Sequence, residues 1–213
     1  MLLLKKPPDQ LHPSRSVSAV TTTQHPAVKA QCFEAEQYSR SSIPRFTLSI
    51  YVSMAVPPNI AELKNLEVLN FLNNQIEKLP TQISRLQKLK HLNLGMNRLN
   101  ISPQGFGSLP ALEVLDLTYN NLNENYLPGN FFYLTTLCAL YLSDNDFEIL
   151  PPDIGKLTKL QILSNRDNNL ISLPKEIRVL TQLKELHIQG NCLTVLPPEL
   201  AVVSRVLETA DER

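Results

Sequence analysis

An eleven-residue phrase, with leucine or another apolar residue at places one, four, six and eleven and asparagine at place nine, recurs six times in this chain. The copies begin at Leu66, Leu89, Leu112, Leu137, Leu160 and Leu183, so the step is 23 residues except between Leu112 and Leu137, where it is 25. A period of this size belongs to solenoids, in which each turn is one unit of supersecondary structure that cannot bury its own apolar face. The expected class is therefore α/β, a curved stack of short parallel strands, with six full repeats and one partial repeat before them.

The residue types within a copy follow from that architecture. In Leu89-Lys90-His91-Leu92-Asn93-Leu94 the alternation of a strand turns Leu92 and Leu94 inward and His91 and Asn93 outward. Where the strand ends the chain bends away, and a buried asparagine carries both the donors and the acceptor that the stranded backbone groups need. Asn74, Asn97, Asn120, Asn145, Asn168 and Asn191 form this ladder. The return half reads Leu-Pro-x-x-Ile, as in Leu79 to Ile83, Leu150 to Ile154 and Leu173 to Ile177. Proline there holds an extended backbone, which predicts extended or 3-10 structure on the convex side rather than long helices.

Twenty basic and twenty acidic residues cancel, which removes the electrostatic footprint of a nucleic-acid or anionic-membrane binder. Cys32, Cys138 and Cys192 are an odd, scattered set, the pattern of a reduced intracellular protein rather than of a disulfide framework. The run Met1 to Leu4 is stopped at once by Lys5-Lys6-Pro7-Pro8, too short for a signal segment, and no stretch approaches the roughly 18 apolar residues of a membrane span. Asn100-Ile101-Ser102 matches a glycosylation sequon that stays bare without export.

Residues 1–42, with four prolines and no period, read as a disordered tail. Residues 43–55 alternate like a strand at Phe46, Leu48, Ile50 and Val52, and Val56-Pro57-Pro58-Asn59-Ile60 is the return half of a repeat whose strand half and asparagine are missing. The repeat domain is assigned to 56–200. In 201–213, Val203, Val206 and Leu207 have helical spacing, giving either one capping turn or a frayed tail over an exposed last coil. Two inward positions are polar: Asn165, where other copies have Phe71, Leu94, Leu117, Leu142 and Ile188, and Ser102, where they have leucine. A buried Asn165 forfeits roughly 2 to 5 kcal/mol of packing, and an unpaired amide costs about 1 to 3 kcal/mol more.

Read in register, the outward positions make a ribbon along the concave face. Its centre carries Asp116, Tyr119, Tyr141, Asp144, Arg166, Asp167 and His187. Aromatic anchors among charges suit a protein partner, and the acids favour one with a basic patch. Chemistry finds less support. Asp144 and Asp167, expected about 5 Å apart on neighbouring strands, are near enough to couple or hold a cation, with Arg166 as the simpler resolution. His187 beside Glu185 sketches an acid–base pair on an open face. The cysteines lack zinc-site spacing and no glycine-rich phosphate loop occurs. The reading is a non-enzymatic protein without metal or cofactor.

The phrases Pro57-Pro58-Asn59-Ile60-Ala61-Glu62-Leu63-Lys64-Asn65-Leu66-Glu67-Val68-Leu69-Asn70-Phe71, His91 to Asn100 and Leu127 to Leu134 include outward and loop residues that packing does not dictate. On them the chain resembles the Ras suppressor group of the leucine-rich repeat family through about residue 200. The resemblance implies a horseshoe solenoid and a cytosolic scaffold in signal transduction. It also implies binding to the LIM-domain protein PINCH, which joins integrin-linked kinase and parvin at cell-matrix adhesions, and restraint of Ras signalling. The first 55 or so residues depart from that pattern, as does the end of the chain. The alternative expectation is accordingly a truncated or decayed variant lacking both caps, poorly folded and without independent activity.

Overall fold

The computed structural model describes residues 46–49, 55–100, 105–127, 129–196, 198 and 200. The expectations for residues 1–45, for Ser102, for Cys32 and for 201–213 lie outside the described residues. Seven strands form one sheet in strict chain order: β1 (Phe46–Ser49), β2 (Leu66–Asn70), β3 (His91–Asn93), β4 (Val114–Asp116), β5 (Ala139–Tyr141), β6 (Ile162–Ser164) and β7 (Glu185–His187). Every pairing is parallel, and from β2 onward the phrase stays in register: Leu69, Leu92, Leu115, Leu140, Leu163 and Leu186 stand side by side.

The first coil is a variant of the others. Residues 46–49, outside the repeat pattern, supply its strand, with Leu48 beside Leu69 and Ser49 beside Asn70 after an irregularity between Phe46 and Thr47. Ala55 then bridges to Lys78. Ala55 is seven residues beyond Leu48, whereas Lys78 is nine beyond Leu69, so this coil closes two residues short. The strand half that the sequence pattern lacks is thus supplied by unrelated residues.

The return halves are 3-10 turns, at Pro58–Glu62, Thr81–Arg85, Phe106–Ser108, Gly129–Tyr133, Pro152–Lys156 and Lys175–Val179. Proline directly precedes five of them in the sequence, and the described ones set an extended entry, with Pro80 at φ −69° and ψ 144°. Their inward residue is Ile60, Ile83, Phe106, Phe131, Ile154 or Ile177, each buried. Phe106 and Phe131 pack at 6.0 Å between ring centroids, and Phe132 meets Phe131 edge-on at 5.4 Å. Gly107 permits this approach, because a Cβ there would collide with the Asn130 carbonyl. The two-residue insertion after Leu112 forms an extra turn, Glu124–Tyr126, capped by the Asn123 side chain, which accepts from the Asn125 amide. It buries Tyr126, whose hydroxyl has no partner and whose pKa burial pushes up.

The asparagine ladder joins each coil to the one before it. Asn97 Nδ2 donates to the carbonyls of Leu94 and Gly95 in its own coil and of Phe71 in the preceding coil, all within 3.0 Å. Its Oδ1 accepts from the Ile76 amide at 3.0 Å, also in the preceding coil. Asn120, Asn145, Asn168 and Asn191 repeat the arrangement, receiving the amides of Leu99, Leu122, Phe147 and Leu170. One apolar cluster runs through the stack from Val56 to Leu200.

Asn165 is the flaw in that core. It is fully buried, and neither side-chain polar atom has a partner, although its main chain is paired to His187 and Asn191 at 2.7 Å each. Two asparagine substitutions should therefore act in opposite directions. Asn165→Leu should raise stability by about 2 kcal/mol or more, whereas Asn145→Ala, which strips the Leu122 amide of its acceptor, should lower it by about 3 kcal/mol. Thermal melting of the two variants checks the signs, and equal losses would contradict the assignment.

Candidate functional site

The solvent-facing strand residues come in two rows. Val68, His91, Val114, Ala139, Ile162 and Glu185 form one; Asn70, Asn93, Asp116, Tyr141, Ser164 and His187 form the other. The face is less open than alternation predicts. Ala139, Ser143 and Ser164 are buried, and the serine hydroxyls hydrogen-bond each other at 2.8 Å, with Ser143 Oγ also accepting from the Arg166 amide at 3.3 Å. Those residues belong to the platform rather than to its contact surface.

Beyond each strand the eighth place of the phrase turns left-handed. Asn73, Met96, Tyr119, Asp144 and Asp167 have φ between 50° and 57°, and Gly190 has φ 71°. Only glycine adopts this conformation without strain, and asparagine and aspartate tolerate it best. A row of asparagine, aspartate and glycine at one place of a repeat is the sequence signal that reveals such a turn. At Gly190 even the Cβ is excluded, since it would fall on the Asp167 carboxylate.

This turn carries three of the predicted site residues. Tyr119, exposed at 56%, hydrogen-bonds Asp144 on the next coil, and the carboxylates of Asp144 and then Asp167 hold its pKa above the ordinary tyrosine value. Asp144 is therefore engaged by a tyrosine. Among the described residues no ion pair joins Arg166 to Asp144 or Asp167, and Arg166 is exposed.

Tyr141 is the second aromatic, partly buried in the middle of the sheet. Desolvation raises its pKa first, followed by the charges of Glu185 and Asp116. Asp116 is braced by its own turn, its Oδ1 accepting from the Thr118 amide at 2.9 Å. Glu185, outside the predicted set, joins this group: its charge helps to raise the Tyr141 pKa, and its carboxylate lies 3.3 Å from His187. The site thus holds two tyrosines, each flanked by two carboxylates. Asp116, Tyr141, Glu185 and His187 cluster on the strands, and Tyr119, Asp144 and Asp167 cluster at their ends. Among the described residues no three of histidine, cysteine, aspartate and glutamate are grouped to hold a metal ion, and no helix is long and apolar enough to cross a membrane.

In-register parallel coils, an asparagine ladder and a 3-10 return side define one class of protein, and the chain belongs to the leucine-rich repeat family. The profile described as "Leucine-rich repeat region" matches residues 106–205 and "Leucine Rich Repeat" matches 88–109. Within the family it is similar to Ras suppressor protein 1. The Bos taurus and Homo sapiens proteins are each 83% identical to it over 112 residues, covering 53% of this chain and 40% of theirs, and the Mus musculus protein is 80% identical over 103 residues. The chain thus spans less than half the length of these curated relatives. Among solved structures, a leucine-rich repeat protein of Leptospira interrogans superposes with a TM-score of 0.57 at 36% identity, covering 72% of this chain and 44% of that one. A TDR receptor superposes at 0.64 with 29% identity, covering 74% and 29%.

The left-handed turn separates recognition from stability at Tyr119. Replacing it with glycine removes the ring but relieves roughly 1 kcal/mol of backbone strain. Tyr119→Gly should therefore melt at or above the parent temperature, and a clear drop would show that the ring supports the fold instead.

Proposed function

We propose that the chain is a non-enzymatic adaptor that captures a folded protein partner on the concave sheet, between β4 and β7. The observation that carries this reading is the pair of carboxylate-flanked tyrosines, Tyr119 with Asp144 and Tyr141 with Asp116 and Glu185, held on a platform of buried Ala139, Ser143 and Ser164. Tyrosine offers a large rigid contact area at low entropic cost together with a polar tip. The surrounding acids select a partner with lysine or arginine at its contact surface. Asp167 and His187 extend the patch, and Arg166 gives it one basic group for a partner's carboxylate.

The similarity to Ras suppressor protein 1 supports naming the partner as the LIM-domain protein PINCH. On this proposal the chain works in the cytoplasm at cell-matrix adhesions, in the assembly that contains integrin-linked kinase, and modulates Ras and adhesion signalling. Asp144 and Asp167 serve recognition, not metal binding, and the His187–Glu185 pair on its open face is a contact rather than an acid–base catalyst.

A second reading is favoured by Asn165, whose unpaired amide weakens the core, and by the exposed last coil: a product folding too poorly to act. A sharp cooperative melt of the isolated chain excludes it. For the adaptor, titration calorimetry with the PINCH LIM region should give one-to-one binding that the combined substitution Asp116→Ala, Tyr119→Gly, Tyr141→Ala and Asp144→Ala weakens at least ~100-fold, about 3 kcal/mol, with the melt preserved. Undiminished binding by that variant would sink the proposal.

A further inference from the structure

The rim of the concave face changes character along the stack. Leu72, Met96 and Tyr119, just beyond the strands of three consecutive coils, are 42%, 48% and 56% exposed, and Asp144 and Asp167 continue the row on the next two. The side chains lean onto the following coil and close the gaps between them. Leu72 Cδ1 lies over Gly95, the Tyr119 hydroxyl hydrogen-bonds Asp144, and the Asp167 carboxylate lies over Gly190. The result is a ridge, apolar over its first three coils and acidic over the next two.

Met96 and Tyr119 stand at φ 55° and 53°, at a place where the other copies have asparagine, aspartate or glycine. An exposed apolar side chain on a left-handed backbone serves neither core nor turn, and strain of this kind marks functional surfaces.

Two features identify what lies on the ridge. The amides of Asn73, Met96, Tyr119, Asp144 and Asp167 each donate to the following coil at 2.8 to 3.0 Å, so an added strand finds no donors among them. A helix satisfies its own backbone and needs none. The pitch agrees. Coils in register repeat about every 4.8 Å, whereas same-side residues of an extended chain recur only every ~6.7 Å. A helical turn rises about 5.4 Å, so a helix lying along the stack presents one side chain to each coil of the ridge.

We propose that this rim docks an amphipathic α-helix of a partner protein, with apolar residues on three successive turns of one face and lysine or arginine on the next two. The apolar turns cover Leu72, Met96 and Tyr119, and the basic turns meet Asp144 and Asp167. The ridge rests on the concave-face reading through Tyr119, Asp144 and Asp167, and carries that surface out to β2 and β3 through Leu72 and Met96.

Fluorescence anisotropy of the full chain with a labelled helical peptide of about 18 residues, five turns, tests this. The peptide carries leucine on three successive turns of one face and lysine on the next two. Saturable one-to-one binding is expected, and Leu72→Thr and Met96→Asn should each weaken it by about tenfold or more. Neighbouring coils already hold Thr118 and Asn73 at these places, so both variants should fold, which circular dichroism melts check. Asp144→Asn combined with Asp167→Asn should also weaken binding and flatten its salt dependence. Val179→Ser, an equally apolar loss on a convex turn, should change nothing. No binding, equal binding of a scrambled peptide, or losses no larger than that of Val179→Ser would overturn the proposal. Capture of the peptide without capture of the PINCH LIM region would strike the concave-face partner and leave the ridge; the converse would strike the ridge and leave the sheet.

Discussion

Everything in this fold hangs on one side-chain amide per coil. A short strand that ends in mid-domain leaves carbonyls and amides unpaired, and in a buried setting each costs on the order of 1 to 3 kcal/mol. Asn97, Asn120, Asn145, Asn168 and Asn191 answer groups of the preceding coil as well as their own. The ladder is therefore a coupling between neighbours, not a decoration of each repeat. It converts coils that could not fold singly into one cooperative stack.

The same device shapes the concave face. Because the asparagine must reach back under the strand end, the residue just before it is driven into the left-handed region. That turn lifts Tyr119, Asp144 and Asp167 to the rim of the sheet, where a tyrosine of one coil meets a carboxylate of the next. The residues proposed for recognition thus sit on backbone that the core holds rigidly, which would reduce the entropy lost on binding a partner. Residues that are large and strained at this place, such as Tyr119 and Met96, gain nothing for folding by being there.

The period, the ladder and the apolar positions were legible from spacing alone, since each follows from a single geometric demand repeated six times. Departures from the period were harder to read. The alternation of Phe46 and Leu48 announced a strand, but not that it pairs with β2 to complete the first coil, and Phe106 and Phe131 take the place of isoleucine three residues after Pro103 and Pro128. At the site, alternation gave the outward rows, but it could not show that Ser143 and Ser164 turn toward each other or that Tyr119, rather than Arg166, engages Asp144. Those outcomes depend on distances between coils. Asn165 was visible as an anomaly in sequence, and the structure adds that no neighbour satisfies it.

Hydrogen–deuterium exchange of the chain, alone and with the PINCH LIM region, tests the concave-face account most directly. Protection on binding should appear in the segments containing Asp116 to Tyr119, Tyr141 to Asp144, Ser164 to Asp167 and Glu185 to His187, while the 3-10 turns from Pro152 and Lys175 exchange as before. Protection confined to those convex turns, or absent from the strands while the partner is bound, would contradict it.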